Sequence, residues 1–281
     1  MQVSFWGTRG SLATPGPDTT RYGGNTSCVQ VTGEQGWTLV LDAGTGIRLL
    51  GNALPQTLRR IDLLLTHLHM DHIQGLGFFK PLYEEGMDIH IWGPASTTQN
   101  LRERLARYLS PPLFPVRLRD LPCKLTLHEV PCGESAIGPF KVSAALLCHP
   151  GPTVGYRIST DAGTMAYLPD HEPVLGMKRL CLPGEWTSGF ALAHGADLLL
   201  HDAQYTDEEY LSRVGWGHSS VTDAFAFAVM SQTRHLVPFH HDPEHSDEFL
   251  DVLFAQAAER TRPQFKLTPA QENATIVVGN S

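Results

Sequence analysis

The stretch THLHMDHIQG, residues 66–75, sets three histidines and an aspartate within six positions: His67, His69, Asp71 and His72. It follows RIDLLL (60–65), an apolar run that reads as a buried strand. In extended chain, side chains two apart share a face, so His67 and His69 converge on one point. If the chain then turns into a helix, Asp71 and His72 aim at a second point. Imidazole and carboxylate are ligands that zinc and other first-row metals accept. A polar loop ahead of a solvated helix start is the plainer account, but HxHxDH after a buried strand is a specific pattern.

Two metals need more than four ligands, and the chain offers candidates where other apolar runs stop. His149 follows VSAALLC, Asp170 follows TMAYLP and His240 follows HLVPF, just as His67 follows IDLLLT. In open α/β sheets, sites gather at the carboxyl ends of strands. Each of these residues alone could satisfy a turn; together they are mutually consistent.

The rest of the chain alternates strand-like and helix-like segments. Helices are expected over 75–86, 97–109, 189–195, 221–233 and 245–261, while the proline-rich stretch 110–122 can hold neither a helix nor a central strand. Several strands are apolar on both faces, which argues for a layered α/β fold. No linker divides the sequence, so residues 1–281 read as one domain. Hydrophobic residues at 42% can fill a core of that size, and 18% charged residues is too few for a disordered chain. The net charge of −8 disfavours general nucleic-acid or anionic-membrane binding, leaving room for a local basic pocket. No secretory signal and no apolar run of about 18 residues is visible. Five cysteines without a CxxC spacing read as reduced thiols in a cytoplasmic protein.

THLHMDH, with His149, Asp170 and His240 downstream, resembles the metallo-β-lactamase superfamily along essentially the whole chain. The resemblance implies a four-layer αββα sandwich with two divalent ions between the sheets, zinc foremost and manganese or iron as alternatives. It implies that His67, His69 and His149 hold one ion, that Asp71, His72 and His240 hold the other, and that Asp170 bridges. His241 is the rival for the last ligand. Asp42 in LDAGTG (41–46) would orient the metal-site histidines from behind. An aspartate at 170, where true β-lactamases usually carry cysteine, points to the phosphodiesterase, lactonase and thioesterase branches.

HDAQY (201–205) and GHSS (217–220) resemble two motifs of ribonuclease Z and its relatives. By that match Asp202 and His218 form a pair able to protonate a leaving alkoxide, with Asp71 the third candidate in the catalytic machinery. SVTD (220–223) reads as a helix-capping box, so Ser219 and the backbone around it could meet a phosphate. Arg9 and Arg21, in GTRGS and RYGGNTS, are candidates for a phosphate, and Phe114 in PPLFP for stacking on a base. Ribonuclease Z carries a long RNA-gripping arm between the third histidine and the bridging aspartate. Here only 21 positions separate His149 from Asp170, and they read as a compact hairpin. The expectation is therefore a phosphodiesterase for a small nucleotide-like ester, possible cyclic nucleotides included, acting as a homodimer with no membrane partner and no tRNA. A lactone or thioester hydrolase, a ribonuclease Z-like nuclease and a non-enzymatic, metal-stabilised sensing protein are the alternatives.

Overall fold

A computed structural model describes residues 1–130, 132–173 and 184–279. Two seven-stranded sheets pack face to face. The first contains β1 (Gln2–Gly7), β2 (Cys28–Thr32), β3 (Thr38–Leu41), β4 (Arg60–Leu64), β5 (Asp88–Pro94) and β6 (Lys124–Val130). The second contains β7 (Gly133–Ile137), β8 (Phe140–Leu146), β9 (Val154–Thr160), β10 (Gly163–Leu168), β11 (Leu198–Asp202), β12 (His235–Phe239) and β13 (Lys266–Leu267). The last strand, β14 (Thr275–Val277), returns to the first sheet and pairs with β1. Each sheet is mixed: β3 to β6 run parallel and so do β10 to β13, while the remaining neighbours are antiparallel.

The layering follows from the two-residue period of the strands. Val3 and Phe5, Leu39 and Leu41, Leu198 and Leu200, and Val237 and Phe239 point between the sheets into one core. Val40, Ile61 and Leu63 point the other way, into a second core with α1 (Ile47–Ala53) and α3 (Leu101–Tyr108). Leu199 and Leu236 do the same on the far side, beneath α4 (Phe190–Ala193), α6 (Val221–Met230) and α7 (Asp247–Thr261). The architecture is thus helix, sheet, sheet, helix, as expected. The two short helices that remain, α2 (Met70–Ile73) and α5 (Asp207–Leu211), belong to the loops at one end of the sandwich.

One helix did not form as the sequence led us to expect. Residues 75–86 hold two 3₁₀ turns, Leu76–Phe78 and Lys80–Tyr83. Gly75 and Gly77 weaken the segment, and Pro81 has no N–H to bond back to a carbonyl a turn earlier. The hairpin expected between His149 and Asp170 is present as β9 and β10, paired antiparallel across Asp161 and Ala162. The strands β6 and β7 escaped the sequence reading. Their residues are mostly half-buried or exposed, so they show no clean apolar run.

Candidate metal centre

The histidine motif sits where β4 leaves the first sheet. The chain stays extended through His69 and then enters α2. This brings His67 and His69 to one side and Asp71 and His72 to the other. The ends of β8, β10 and β12 deliver His149, Asp170 and His240 from the second sheet. Two clusters result from these residues: His67, His69, His149 and Asp170 in one, and Asp71, His72, Asp170 and His240 in the other, while Asp202 and His218 form a further group of three with His240. Asp170 belongs to each of the first two.

The atoms face inward at spacings that suit a shared ion. In the first cluster His149 Nε2 lies 3.1 Å from His69 Nδ1 and 3.8 Å from Asp170 Oδ2, and His67 Nε2 lies 3.6 Å from Asp170 Oδ2. In the second, His72 Nε2 lies 2.9 Å from Asp170 Oδ1, 3.2 Å from Asp71 Oδ2 and 3.4 Å from His240 Nε2. Ligands of one tetrahedral zinc stand roughly 3.3 Å apart, since each bond is about 2.0–2.1 Å. His67 Nε2 is buried without a hydrogen-bond partner, a costly arrangement unless something else binds it. The donor set therefore fits divalent ions. The first cluster opens to solvent through His69, which is exposed, while the His149 side chain is buried; all four residues of the second are enclosed.

Electrostatics tells the same story. Burial works against the charge of Asp170, yet the rings of His240, His72 and His67 hold its carboxyl well below the usual range. Asp71 is likewise held low by His72 and His240 against its own burial. Burial pushes His67 well below the ordinary imidazole value, which keeps it neutral and its lone pair available.

A second tier of residues fixes the rings. Asp42, at the end of β3, is fully buried and takes a left-handed φ of 58°. Its carboxylate accepts from the Thr66 N–H at 2.7 Å, the Thr66 hydroxyl, the Tyr167 hydroxyl at 3.0 Å and His72 Nδ1 at 2.8 Å. His240 also takes a left-handed φ, 62°, and its Nδ1 meets Gln204 Oε1 at 3.1 Å. Non-glycine residues held this way cost free energy, and such outliers concentrate at functional sites. Gln204 was not singled out from the sequence, although it lies inside the HDAQY motif. His241 turns away from the cluster. Its Nε2 donates to the Ala270 carbonyl at 2.9 Å, and burial pushes its pKa down to about 3.

His218 flanks the site, stacked on His240 with ring centroids 4.9 Å apart. Its Nδ1 donates to Asp202 Oδ2 at 2.7 Å. Burial opposes protonation, but Asp202 outweighs it and raises the His218 pKa to about 9. Asp202 is itself a hub, accepting from the backbone N–H groups of His171, Gln204 and Ser219.

The four residues expected to touch substrate sit differently. Arg9 is fully buried, and its guanidinium donates to the carbonyls of Gly23, Asp242 and His245 at 2.7–2.8 Å. It braces loops and has no surface for a phosphate. Arg21 is committed to Asp251 on α7 at 2.7 Å. Phe114 packs under Phe78 and Tyr108 as part of the outer core, because the loop that carries it folds back on α3. Ser219 is buried, and its hydroxyl donates to the His171 carbonyl at 2.6 Å. Ser220 caps α6 as the SVTD pattern predicts, accepting from the Asp223 N–H at 3.1 Å.

A family model described as a beta-lactamase superfamily domain matches residues 38–241. A protein named Ribonuclease Z from Gemmatimonas aurantiaca is 23% identical, over 80% of this chain and 83% of its own length. Another of that name, from a Bradyrhizobium species, is 28% identical over 88% of this chain and 92% of its own. Among solved structures, the short form of human tRNase Z superposes with a TM-score of 0.70 at 23% identity, covering 100% of both chains.

Proposed function

From the premise that the chain belongs to the beta-lactamase superfamily, we propose that it is a nuclease of the ribonuclease Z kind, cutting a phosphodiester in RNA. That the protein is a metal-dependent hydrolase follows from the family and the relatives together. The earlier expectation of a small nucleotide-like ester, with tRNA excluded, is overturned by relatives named Ribonuclease Z that align along 80–88% of the chain. A short connection between His149 and Asp170 and an overall charge of −8 were the grounds for that exclusion. Neither bears on the local surface around the site, which is what an RNA end meets.

Divalent ions at this site would supply an activated water and offset the charge gathering on phosphorus. We assign His67, His69 and His149 to one ion, Asp71, His72 and His240 to the other, and Asp170 to both, with zinc the metal best matched to imidazole and carboxylate ligands. The remaining chemistry belongs to the chain. When the ester bond breaks, phosphate stays on one RNA fragment and the other leaves as an alkoxide that needs a proton. His218 stands beside the clusters with its Nδ1 committed to Asp202, so Nε2 is the nitrogen left to donate. Asp202 favours the charged ring that carries the proton. This pair beside a two-cluster centre is the observation that carries the reading against a thioester, whose thiolate leaves with less need for a strong proton donor; a lactone also releases an alkoxide, and it is the relatives named Ribonuclease Z that favour a phosphodiester over it.

The test is cleavage of a labelled precursor tRNA by the purified chain with zinc or manganese, alongside the mature tRNA, bis-nitrophenyl phosphate and a lactone. We expect one cut in the precursor, abolished by a chelator. Turnover of the nitrophenyl ester with the precursor left intact would sink the RNA assignment. Turnover of the lactone alone would sink phosphodiester hydrolysis altogether.

A further inference from the structure

Glu172 lies two residues beyond Asp170 and takes no part in either cluster, yet it is almost wholly buried. Its carboxylate has gathered four hydrogen bonds. Oε1 accepts from the Tyr210 hydroxyl at 2.8 Å and the Gly215 N–H at 2.9 Å, while Oε2 accepts from Gly217 N–H at 2.8 Å and again from Gly215 at 3.1 Å. Gly215 and Gly217 both take left-handed φ values, 86° and 92°, that aim their N–H groups at one point. Behind the side chain, the Glu172 N–H donates to the Cys148 carbonyl at 2.9 Å. Gly217 in turn presents its carbonyl to His149 Nδ1 at 2.9 Å.

These bonds close a ring. It runs from His149 through the Gly217 carbonyl, across the Gly217 N–H to the Glu172 carboxylate, and back through the Glu172 N–H to Cys148, the neighbour of His149. His218 is the residue after Gly217. The ring therefore ties the ring orientation of His149 to the placement of His218 through a single buried carboxylate. The fit is tight, because a Cβ at position 217 would lie 2.3 Å from His149 Nδ1.

We propose that Glu172 is a positioning residue, holding the Gly215–Gly217 turn so that His149 presents Nε2 to the metal and His218 stands at the leaving oxygen. The proposal rests on the hydrolase reading above. It requires that the metal site and the proton donor loosen together when the clamp is removed. A carboxylate offers two oxygens to these donors, whereas the amide of glutamine turns one NH₂ group toward them. Glu172→Gln should thus release part of the turn while preserving volume.

In Glu172→Gln, amide exchange at Gly215 and Gly217 should quicken by about tenfold or more. Zinc affinity, measured by competition with a chromophoric chelator, should fall about tenfold. At saturating zinc, kcat on an RNA ester should fall about 10–100-fold with KM nearly constant, as small misplacement of a catalytic group does. The loss on a nitrophenyl ester, whose leaving group needs no proton, should be much smaller. Gly217→Ala attacks the same ring from the other side and carries the same expectations, so a poorly folding Glu172→Gln does not end the test. Unchanged zinc affinity with equal losses on both esters, or a fall in Tm alone, overturns the proposal. A wild-type chain that binds zinc but hydrolyses no phosphodiester defeats the functional reading, and the chelator and exchange measurements then judge Glu172 by themselves.

Discussion

Asp42 concentrates the logic of the centre in one side chain. Four donors converge on it, one of them from His72. Asp42→Asn keeps the left-handed backbone, which asparagine tolerates, but sets an NH₂ group against those donors. We expect zinc affinity to fall about 10–100-fold, as is usual for the partners behind metal ligands, measured by chelator competition. His218→Ala should retain both ions and lower kcat on RNA by about 10²–10⁴-fold, with a smaller loss on a nitrophenyl ester. Equal losses on both esters would remove His218 from proton donation. The residues nearest these chemical roles were legible in the sequence because strand ends and short motifs carry them. Those expected at the substrate were not. Arginine in a glycine-rich loop looks solvent-facing, and nothing in GTRGS announces that three carbonyls from two distant segments will claim Arg9. The same holds for Phe114, whose burial depends on how a proline-rich loop folds back.

At the scale of elements, α6 deserves a direct test because its N-cap, Ser220, stands two residues after His218. Its first turn relies on the Ser220 hydroxyl accepting from the Asp223 N–H. The aspartate bonds back to that hydroxyl, not to a backbone N–H as a longer glutamate would in a full capping box. Ser220→Ala should cost about 1 kcal/mol of stability, read as a lower denaturant midpoint at unchanged m. Among elements, the buried strands were legible because apolar runs bounded by glycine and polar residues leave few alternatives. The segment 75–86 was misread because its apolar spacing imitates a helix while its glycines and Pro81 break the backbone bonds that a helix needs. β6 and β7 stand at sheet ends with little burial: β6 alternates only through Leu125 and Leu127, and β7 is exposed for four of its five residues, so neither offers a sustained apolar pattern to detect.

For the whole molecule, acid should be a stronger denaturant than composition suggests. Burial lowers the pKa of His201 and His235 to about 4 and that of His241 to about 3. Each folded value lies below the ordinary 6.5, so these histidines favour the folded state above about pH 6.5 and that contribution drains away as pH falls toward 4. The Tm should drop between pH 7 and 5 with metal absent. His235→Gln keeps a donor or acceptor for Thr268, which His235 Nε2 meets at 2.9 Å, and should shallow that dependence; a parallel shift with unaltered slope would count against it. Chelation should lower Tm at neutral pH as well, since ions that bind only the folded chain stabilise it by mass action. The residues we assign to the metals are also spread widely along the chain, from residue 67 to residue 240 of 281, and come from both sheets. During synthesis, the first sheet's histidines appear long before their partners in the second. A ribosome-bound chain lacks His240, and with it the enclosed half of the centre, until most of the protein has been made. By the ligand assignment proposed above, a product terminated before residue 240 would lack a member of the second cluster whatever else of the fold it had formed.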